Sequence, residues 1–148
     1  MKTLITLAFI VATTAGSAMA ERINVASSTN VATSVERLED AVKTAGARVF
    51  NTIDFAAGSS SVGKDLRPTT VVIFGSPKIG ASALQTGQTM ALDLPLRILF
   101  FEDANGQTWA TYDDPTAVAL SHGLAANHPA VLAMRGALEK FSSAATEE

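Results

Sequence analysis

Five side chains in this sequence have the types and settings that chemistry needs: Asp54, Arg67, Lys78, Asp93 and His122. Asp93 lies inside an apolar run, Leu-Asp-Leu-Pro-Leu, and Asp54 directly follows an isoleucine. A carboxylate in apolar company loses solvation unless a cation or hydrogen-bond donors compensate it. We therefore expect each aspartate to have a partner, with Arg67, Lys78 and Arg97 available as cations.

Such a carboxylate allows two interpretations. Beside a cation it suits general acid–base work or the binding of a small polar ligand. Alternatively, Asp54 and Asp93 cap turns by accepting backbone N–H groups. The sequence leaves both interpretations open.

The turn at residues 75–80, Gly-Ser-Pro-Lys-Ile-Gly, leaves an apolar strand and enters a predicted helix. Free backbone N–H groups and Lys78 could meet an anion there, or the segment is only a tight connection. The order of a nucleotide-binding P-loop is absent. We expect Arg67 and Asp93 to lie within reach of each other beside this turn, with Lys78 as the alternative partner.

Metal and nucleophile chemistry have little support. The two histidines, His122 and His128, are six residues apart and do not match a helical metal-binding pair. The chain has no cysteine, which removes thiol catalysis, iron–sulfur clusters and thiolate zinc sites. No G-x-S-x-G motif is present. We expect no metal and no cofactor.

The first twenty residues have the layout of a secretory signal peptide. Lys2 gives a positive start, residues 4–12 are largely apolar, and small residues around an A-x-A pattern end at Ala20. The apolar run is shorter than the roughly 20 residues that span a bilayer. The sequence thus predicts cleavage after Ala20, a periplasmic or secreted location, and a product that is not embedded in the membrane.

The remainder is long enough for one domain with its own core. We assign residues 21–141 to that domain and 142–148 to a polar C-terminal tail. Without Lys2, ten basic residues face fourteen acidic ones, a net charge of −4 with neutral histidines. No basic cluster is present, so nucleic acid is not an expected partner.

Hydrophobic periodicity predicts an α+β fold. Residues 31–45 and the segment from 129 onward have helical spacing, and shorter helices are expected at 79–86 and 115–123. Strands are expected at 23–26, 48–53, 69–74, 96–101 and 107–112, the last two joined as a hairpin. The near-continuous apolar run at 69–74 is typical of a central strand covered on both faces.

Several short motifs in register give a family resemblance. They include Ile53-Asp54-Phe55, Leu66-Arg67-Pro68, residues 73–80, residues 92–96, Trp109, Asp114-Pro115 and His122-Gly123-Leu124. In order and spacing they resemble the domain-of-unknown-function family 302. That resemblance implies a small, mostly antiparallel sheet with helices on one face, TATA-binding-protein-like or Bet-v-1-like in outline. It also implies a histidine where this chain has Phe55.

The resemblance supplies no activity, and three functions stay open. We favour non-catalytic binding of a small polar ligand or anion near Asp54, Arg67, Lys78, Asp93 and His122. The second is an enzyme that uses a carboxylate–histidine acid–base pair. The third is a structural role as a homodimer through a sheet edge or a helix face.

Export gives the first testable prediction. Protein recovered from a secreting host should begin at Glu21, because the small residues before it form the cleavage site. N-terminal sequencing of the exported fraction measures this. A mature protein that begins at Met1, or one found in the membrane pellet, would contradict it.

Overall fold

The computed structural model describes residues 21–147. The predicted signal peptide lies outside these residues, as does Glu148. The described chain forms five strands, five α-helices and one 3-10 helix: β1 (Arg22–Ala26), α1 (Val31–Thr44), β2 (Arg48–Asp54), α2 (Phe55–Ser60), β3 (Thr69–Gly75), α3 (Pro77–Thr86), the 3-10 helix (Gln88–Leu92), β4 (Leu96–Glu102), β5 (Thr108–Asp113), α4 (Pro115–Ser121) and α5 (Pro129–Thr146).

All five strands join one antiparallel sheet in the order β1-β5-β4-β3-β2. The predicted hairpin between β4 and β5 is present, and Gly106 in its turn has a φ of 79°. Strands β1 and β2 form the two edges. The predicted α+β class with an antiparallel sheet is confirmed.

The main core lies between the sheet and the helices α1 and α5. Because side chains alternate along a strand, every second residue of β3 and β4 points to these helices. Val72, Phe74, Ile98 and Phe100 are 0–1% exposed and pack with the apolar stripe of both helices. The helices contribute Leu38, Val42, Leu138 and Phe141.

The opposite face of the sheet corrects one expectation. Val71, Ile73 and Leu99 alternate with the core residues and are only partly buried. Strand β3 is therefore central in the sheet but covered by packed helices on one face. Continuous apolar sequence could not distinguish this arrangement from a strand covered on both.

A second apolar cluster joins α3, the 3-10 helix and α4 to the first half of α5. Its buried members are Ala83, Met90, Ala119, Leu124, Ala130, Val131 and Met134. Leu96 at the start of β4 packs against both clusters. Leu132, in the same half of α5, is by contrast 52% exposed.

The C-terminal segment is a correction to the predicted polar tail. Helix α5 continues to Thr146, and Ser142, Ala145 and Thr146 are buried. The hydroxyls of Ser142 and Thr146 donate to helix carbonyls, at 3.0 and 2.9 Å. The amide of Ser28 donates to the carbonyl of Thr146 at 2.9 Å. These polar side chains are therefore satisfied inside the protein, and the domain extends beyond residue 141.

Strand β2 contains an irregularity at Phe50. Val49 pairs with Phe74 and Asn51 with Ile73, so Phe50 is an extra residue in the ladder. This arrangement is a β-bulge, which bends an edge strand and re-aims a side chain. Phe50 is 46% exposed, and the guanidinium of Arg48 lies 5.5 Å from its ring centroid.

Asp103 holds the β4–β5 turn together. Its carboxylate accepts from the indole of Trp109 at 3.0 Å and from the amides of Asn105 and Gln107 at 2.8 and 3.0 Å. These donors, the Trp109 indole above all, lower the pKa of Asp103 below its usual value. The turn is consequently stabilised by the ionised carboxylate.

The pH dependence of stability follows from this shift. A lowered folded pKa means that Asp103 adds stability above its unfolded pKa of about 3.9. That contribution is lost as the pH falls through the folded pKa. The difference in unfolding free energy between the wild type and Asp103→Asn should therefore be largest near about pH 6 and shrink toward about pH 2.

Urea unfolding at several pH values measures this difference. Asp65→Asn removes one charge in an exposed loop and serves as the control. A difference for Asp103→Asn that stays constant down to the lowest pH would contradict the role of the ionised form.

Candidate functional site

A cleft of about 600 Å³ opens between α3 and α5 at the Gly75 end of β3. It extends from the turn after α1 to the Leu94-Pro95 segment before β4. Its walls are almost entirely apolar: Ala45, Gly46, Ala47, Phe50, Phe74, Gly75, Ser76, Pro77, Ile79, Gly80, Ala81, Leu84, Leu94, Pro95, Leu96, Met134, Gly136, Ala137, Lys140 and Phe141 line it.

Small residues create the hollow. Gly80 and Ala81 on α3, together with Gly136 and Ala137 on α5, line the cleft where larger side chains would fill it. A Cβ added at Gly136 would meet nothing within 4 Å. Because these four residues have little or no side chain, the space between the two helices stays open to solvent.

Aromatic side chains form part of the wall. Phe74 and Phe141 meet edge to face, with ring centroids 5.5 Å apart. A Cβ at Gly75 would lie 3.4 Å from the ring of Phe50 and 3.6 Å from Pro95. Gly75 thus lies close to both Phe50 and Pro95, which line the cleft with it.

Beside the cleft, the structure brings together Asp93 and His122. The Asp93 carboxylate lies 2.7 Å from His122 Nε2, and its other oxygen lies 3.7 Å from Arg97 Nη2. His122 Nδ1 lies 2.9 Å from the hydroxyl of Thr89. Because an ionised carboxylate only accepts, Nε2 carries the proton that joins His122 to Asp93.

Gly87 permits this arrangement. A Cβ at Gly87 would lie 2.7 Å from the backbone oxygen of His122 and would also collide with Leu124. The turn after α4 can therefore pack against the start of the 3-10 helix only when residue 87 has no side chain. That close approach places the imidazole between Thr89 and Asp93.

The space around Asp93 limits what this pair can do. The depression that Asp93 and Arg97 line has a volume of about 40 Å³, whereas pockets for small molecules usually have about 300–1,000 Å³. The His122 side chain is only 10% exposed, and both ring nitrogens have partners. The geometry fits a tie between the 3-10 helix and the end of α4 better than a substrate site.

Asp54 and Arg67 lie elsewhere. Asp54 pairs with Thr70 and caps α2 through the amide of Ala57, at 2.9 Å. Arg67 donates from Nε to the carbonyl of Glu102 at 3.0 Å. Both residues are at the Thr69 end of β3, about 20 Å from the Gly75 end at 3.3 Å per residue.

The predicted meeting of Arg67 and Asp93 is therefore wrong. Lys78 is exposed near the start of α3, and none of the ion pairs within residues 21–147 joins it to Asp93. Of the five candidate residues, the structure brings together Asp93 and His122 and separates Asp54 and Arg67 from them.

Phe55, at the position where the resemblance implies a histidine, lies over the open face of the sheet. With Val71, Arg97 and Leu99 it lines a shallow depression of about 380 Å³. Phe55 is 44% exposed. This surface is distinct from the cleft between α3 and α5.

Sequence reasoning did not identify the cleft. Apart from Lys140, its residues are apolar or small, and they come from segments spread between residues 45 and 141, so no local motif marks it. The available signal was the set of small residues on two helices, Gly80-Ala81 and Gly136-Ala137, which line the same cleft.

Comparison with known proteins decides the family. The family described as domain of unknown function DUF302 matches residues 23–145. The chain belongs to the DUF302 family. A crystal structure of an uncharacterized conserved DUF302 protein from Bacillus stearothermophilus superposes on this domain with a TM-score of 0.75. The match covers 84% of this chain and 97% of that one at 20% identity, and it supports the fold.

Two relatives with assigned names are proteins of Brucella. A fluoride-specific ion channel, FluC 1, of Brucella suis biovar 1 is 39% identical over 102 residues, which are 69% of this chain and 40% of that protein. FluC 1 of Brucella abortus biovar 1 is 39% identical over 102 residues, which are 69% of this chain and 38% of that protein. The match spans about two-fifths of the length of these relatives.

Between residues 21 and 147, no helix is both long and apolar enough to cross a membrane. In the same part of the chain, no three His, Cys, Asp or Glu side chains converge in a way that could hold a metal ion.

The contact between Asp93 and His122 gives a prediction about stability. In a double-mutant cycle with Asp93→Ala and His122→Ala, the coupling energy should be about 1–3 kcal/mol, because the bond is short, charged and largely sheltered. The Asp93–Arg97 pair is longer and more exposed, so the matched cycle should give at most about 0.5 kcal/mol.

Urea unfolding of the single and double variants measures both cycles. Equal coupling in the two cycles would show that His122 does not tie the 3-10 helix to α4. The Asp93–Arg97 cycle thus serves as the internal control.

Proposed function

We propose that this DUF302 domain binds a small, largely apolar molecule in the cleft between α3 and α5. The observation that carries the proposal is a cleft of about 600 Å³ whose walls are almost entirely apolar. This volume lies within the range of about 300–1,000 Å³ that is typical of small-molecule sites. An apolar occupant would remove these walls from water, and that removal is the main driving force for such binding.

The packing around the cleft supports this proposal. Phe74 and Phe141 are buried in the main core and also line the cleft, so that wall is fixed by the core itself. Met134 belongs to the second cluster and lines the cleft from α5. A site built on such elements is held in shape before any ligand arrives, which lowers the cost of binding.

We keep the binding function predicted from the sequence but propose a largely apolar ligand in place of a polar one. Asp54 and Arg67, two of the residues expected around a polar ligand, lie at the other end of β3. Leu94 lines the cleft and directly follows Asp93. We assign Asp93 and His122 a supporting role, in which their bond fixes the segment that leads to Leu94.

The enzyme alternative has weaker support. Its candidate acid–base pair, Asp93 and His122, lies beside a depression of only about 40 Å³. A substrate could not approach the ring of His122 without displacing Thr89 or Asp93. Binding without catalysis is therefore the function that we favour, in the periplasmic or secreted location that the N-terminus predicts.

A second candidate function is an accessory role in fluoride transport. It rests on the similarity to part of two Brucella proteins named as fluoride-specific ion channels. Under this alternative the domain would itself contact fluoride. Fluorine-19 NMR of sodium fluoride should then show broadening on addition of the protein, and an unchanged line width would remove the alternative.

Homodimer formation also stays a prediction. The surface best suited to it is the open face of the sheet, where Ile53, Phe55 and Leu66 are 36–46% exposed. A sedimentation-velocity series over protein concentration would give the monomer mass throughout if this face stays free.

Filling the cleft provides the test of apolar binding. The neutral dye N-phenyl-1-naphthylamine should bind the wild type with enhanced fluorescence, and Gly136→Leu should abolish that binding. The added Cβ would meet no atom within 4 Å, and Gly136 lines the cleft, so we expect the leucine side chain to occupy part of the cleft. Replacing a helical glycine should also raise stability, by up to about 1 kcal/mol, so loss of binding would not reflect unfolding.

Gly58→Leu is the matched control. Gly58 lies in α2, away from the cleft, and its added Cβ also meets nothing within 4 Å. It should bind the dye like the wild type. Dye binding to Gly136→Leu at wild-type affinity, or no binding to the wild type, would refute the proposed site.

A further inference from the structure

One charged side chain distinguishes the cleft from a purely apolar hollow. Among the described residues that line it, Lys140 alone carries a charge, and no acidic residue accompanies it. Lys140 follows Gly136 by four residues and Ala137 by three, so the three side-chain positions share one face of α5. Its stem can lie along the apolar wall while its amine stays at the mouth in water.

The ion pairs of α5 leave this amine available. Arg135 pairs with Glu139 at 3.1 Å on the exposed side of the helix. Within residues 21–147, no carboxylate lies within ion-pair distance of Lys140. A positive charge without an internal partner, at the mouth of an apolar cleft, favours a ligand that brings the negative charge.

A second polar group lies on the α3 side of the cleft. Ser76 occupies the N-cap position of α3, but its side chain makes no capping hydrogen bond. Its hydroxyl is therefore not used by the helix. Ser76 also lines the cleft. The cleft therefore offers a hydroxyl from the α3 side and an ammonium group from α5 against an otherwise apolar surface.

We propose that the cleft takes an amphiphile with an apolar body and a single negative headgroup, a carboxylate or sulfonate, and that Lys140 contacts that headgroup. This inference rests on the proposed function and adds the charge of the ligand to it. The apolar walls hold the body, and Lys140 fixes its orientation with the headgroup toward solvent. A neutral molecule of the same shape binds the same walls but lacks the contact with Lys140.

Two dyes that share an apolar skeleton separate these contributions. Anilinonaphthalene sulfonate carries one sulfonate, and N-phenyl-1-naphthylamine has the same rings without it. Lys140→Met keeps a long apolar side chain and removes the charge. Its dissociation constant for the sulfonate dye should rise about fivefold, which corresponds to about 1 kcal/mol, while its affinity for the neutral dye stays within about twofold of wild type.

Lys64→Met is the matched control, since Lys64 is exposed in the loop after α2 and does not line the cleft. It should bind both dyes like the wild type. Lys78→Met tests the turn before α3, and a larger loss of sulfonate binding in it than in Lys140→Met would overturn the assignment of the headgroup to Lys140.

The outcomes separate the two proposals. If Lys140→Met binds both dyes like the wild type, the headgroup contact is wrong and the apolar site stands. If the wild type binds neither dye, or Gly136→Leu still binds both, the apolar site itself is wrong.

Discussion

The edge-to-face contact between Phe74 and Phe141 is the interaction on which the rest of the structure depends. It joins α5 to β3, and α1 packs beside α5 in the same apolar cluster, which also contains Val72 and Phe100. The same two rings form the inner wall of the cleft. Core and cleft are therefore not separable, because any change that moves α5 on the sheet also changes the volume available to a ligand.

The two apolar clusters contain residues from different halves of α5. Its second half, with Leu138 and Phe141, belongs to the core on the sheet, whereas Val131 and Met134 hold α3, the 3-10 helix and α4. The cleft opens along the helix between these two clusters. Small residues at Gly136 and Ala137 mark the place where α5 changes partners, which explains why the hollow occurs there.

Much of the fold could be predicted from the sequence because its signals are local. Helix α1 has an Asn30 cap, a regular apolar stripe and Gly46 at a φ of 72° beyond its end. In β3, buried residues alternate with partly buried ones. The sequence did not reveal this alternation, because the residues on the open face of the sheet are also apolar. The end of α5 was missed because Ser142 and Thr146 are polar by type but satisfy their hydroxyls within the helix.

The site was less predictable because it depends on which end of the sheet each residue reaches. The free-energy cost of desolvating a carboxylate correctly indicated that Asp93 needs a partner. It could not show that this partner is His122 and not Arg67. The direction of β3 decides the partner, because the strand has Arg67 at one end of the sheet and the connection to α3 at the other. An apolar cleft gives no such signal at all, since its residues look like ordinary core in the sequence.

The bulge at Phe50 has a consequence for how copies of this protein meet. An edge strand with a regular row of unpaired N–H and C=O groups is a template for edge-to-edge aggregation, and a bulge interrupts that row. In β2 the extra residue breaks the row in the middle of the strand while sending an aromatic ring to the cleft. The residue that lines the cleft thus also protects the β2 edge of the sheet against uncontrolled strand addition.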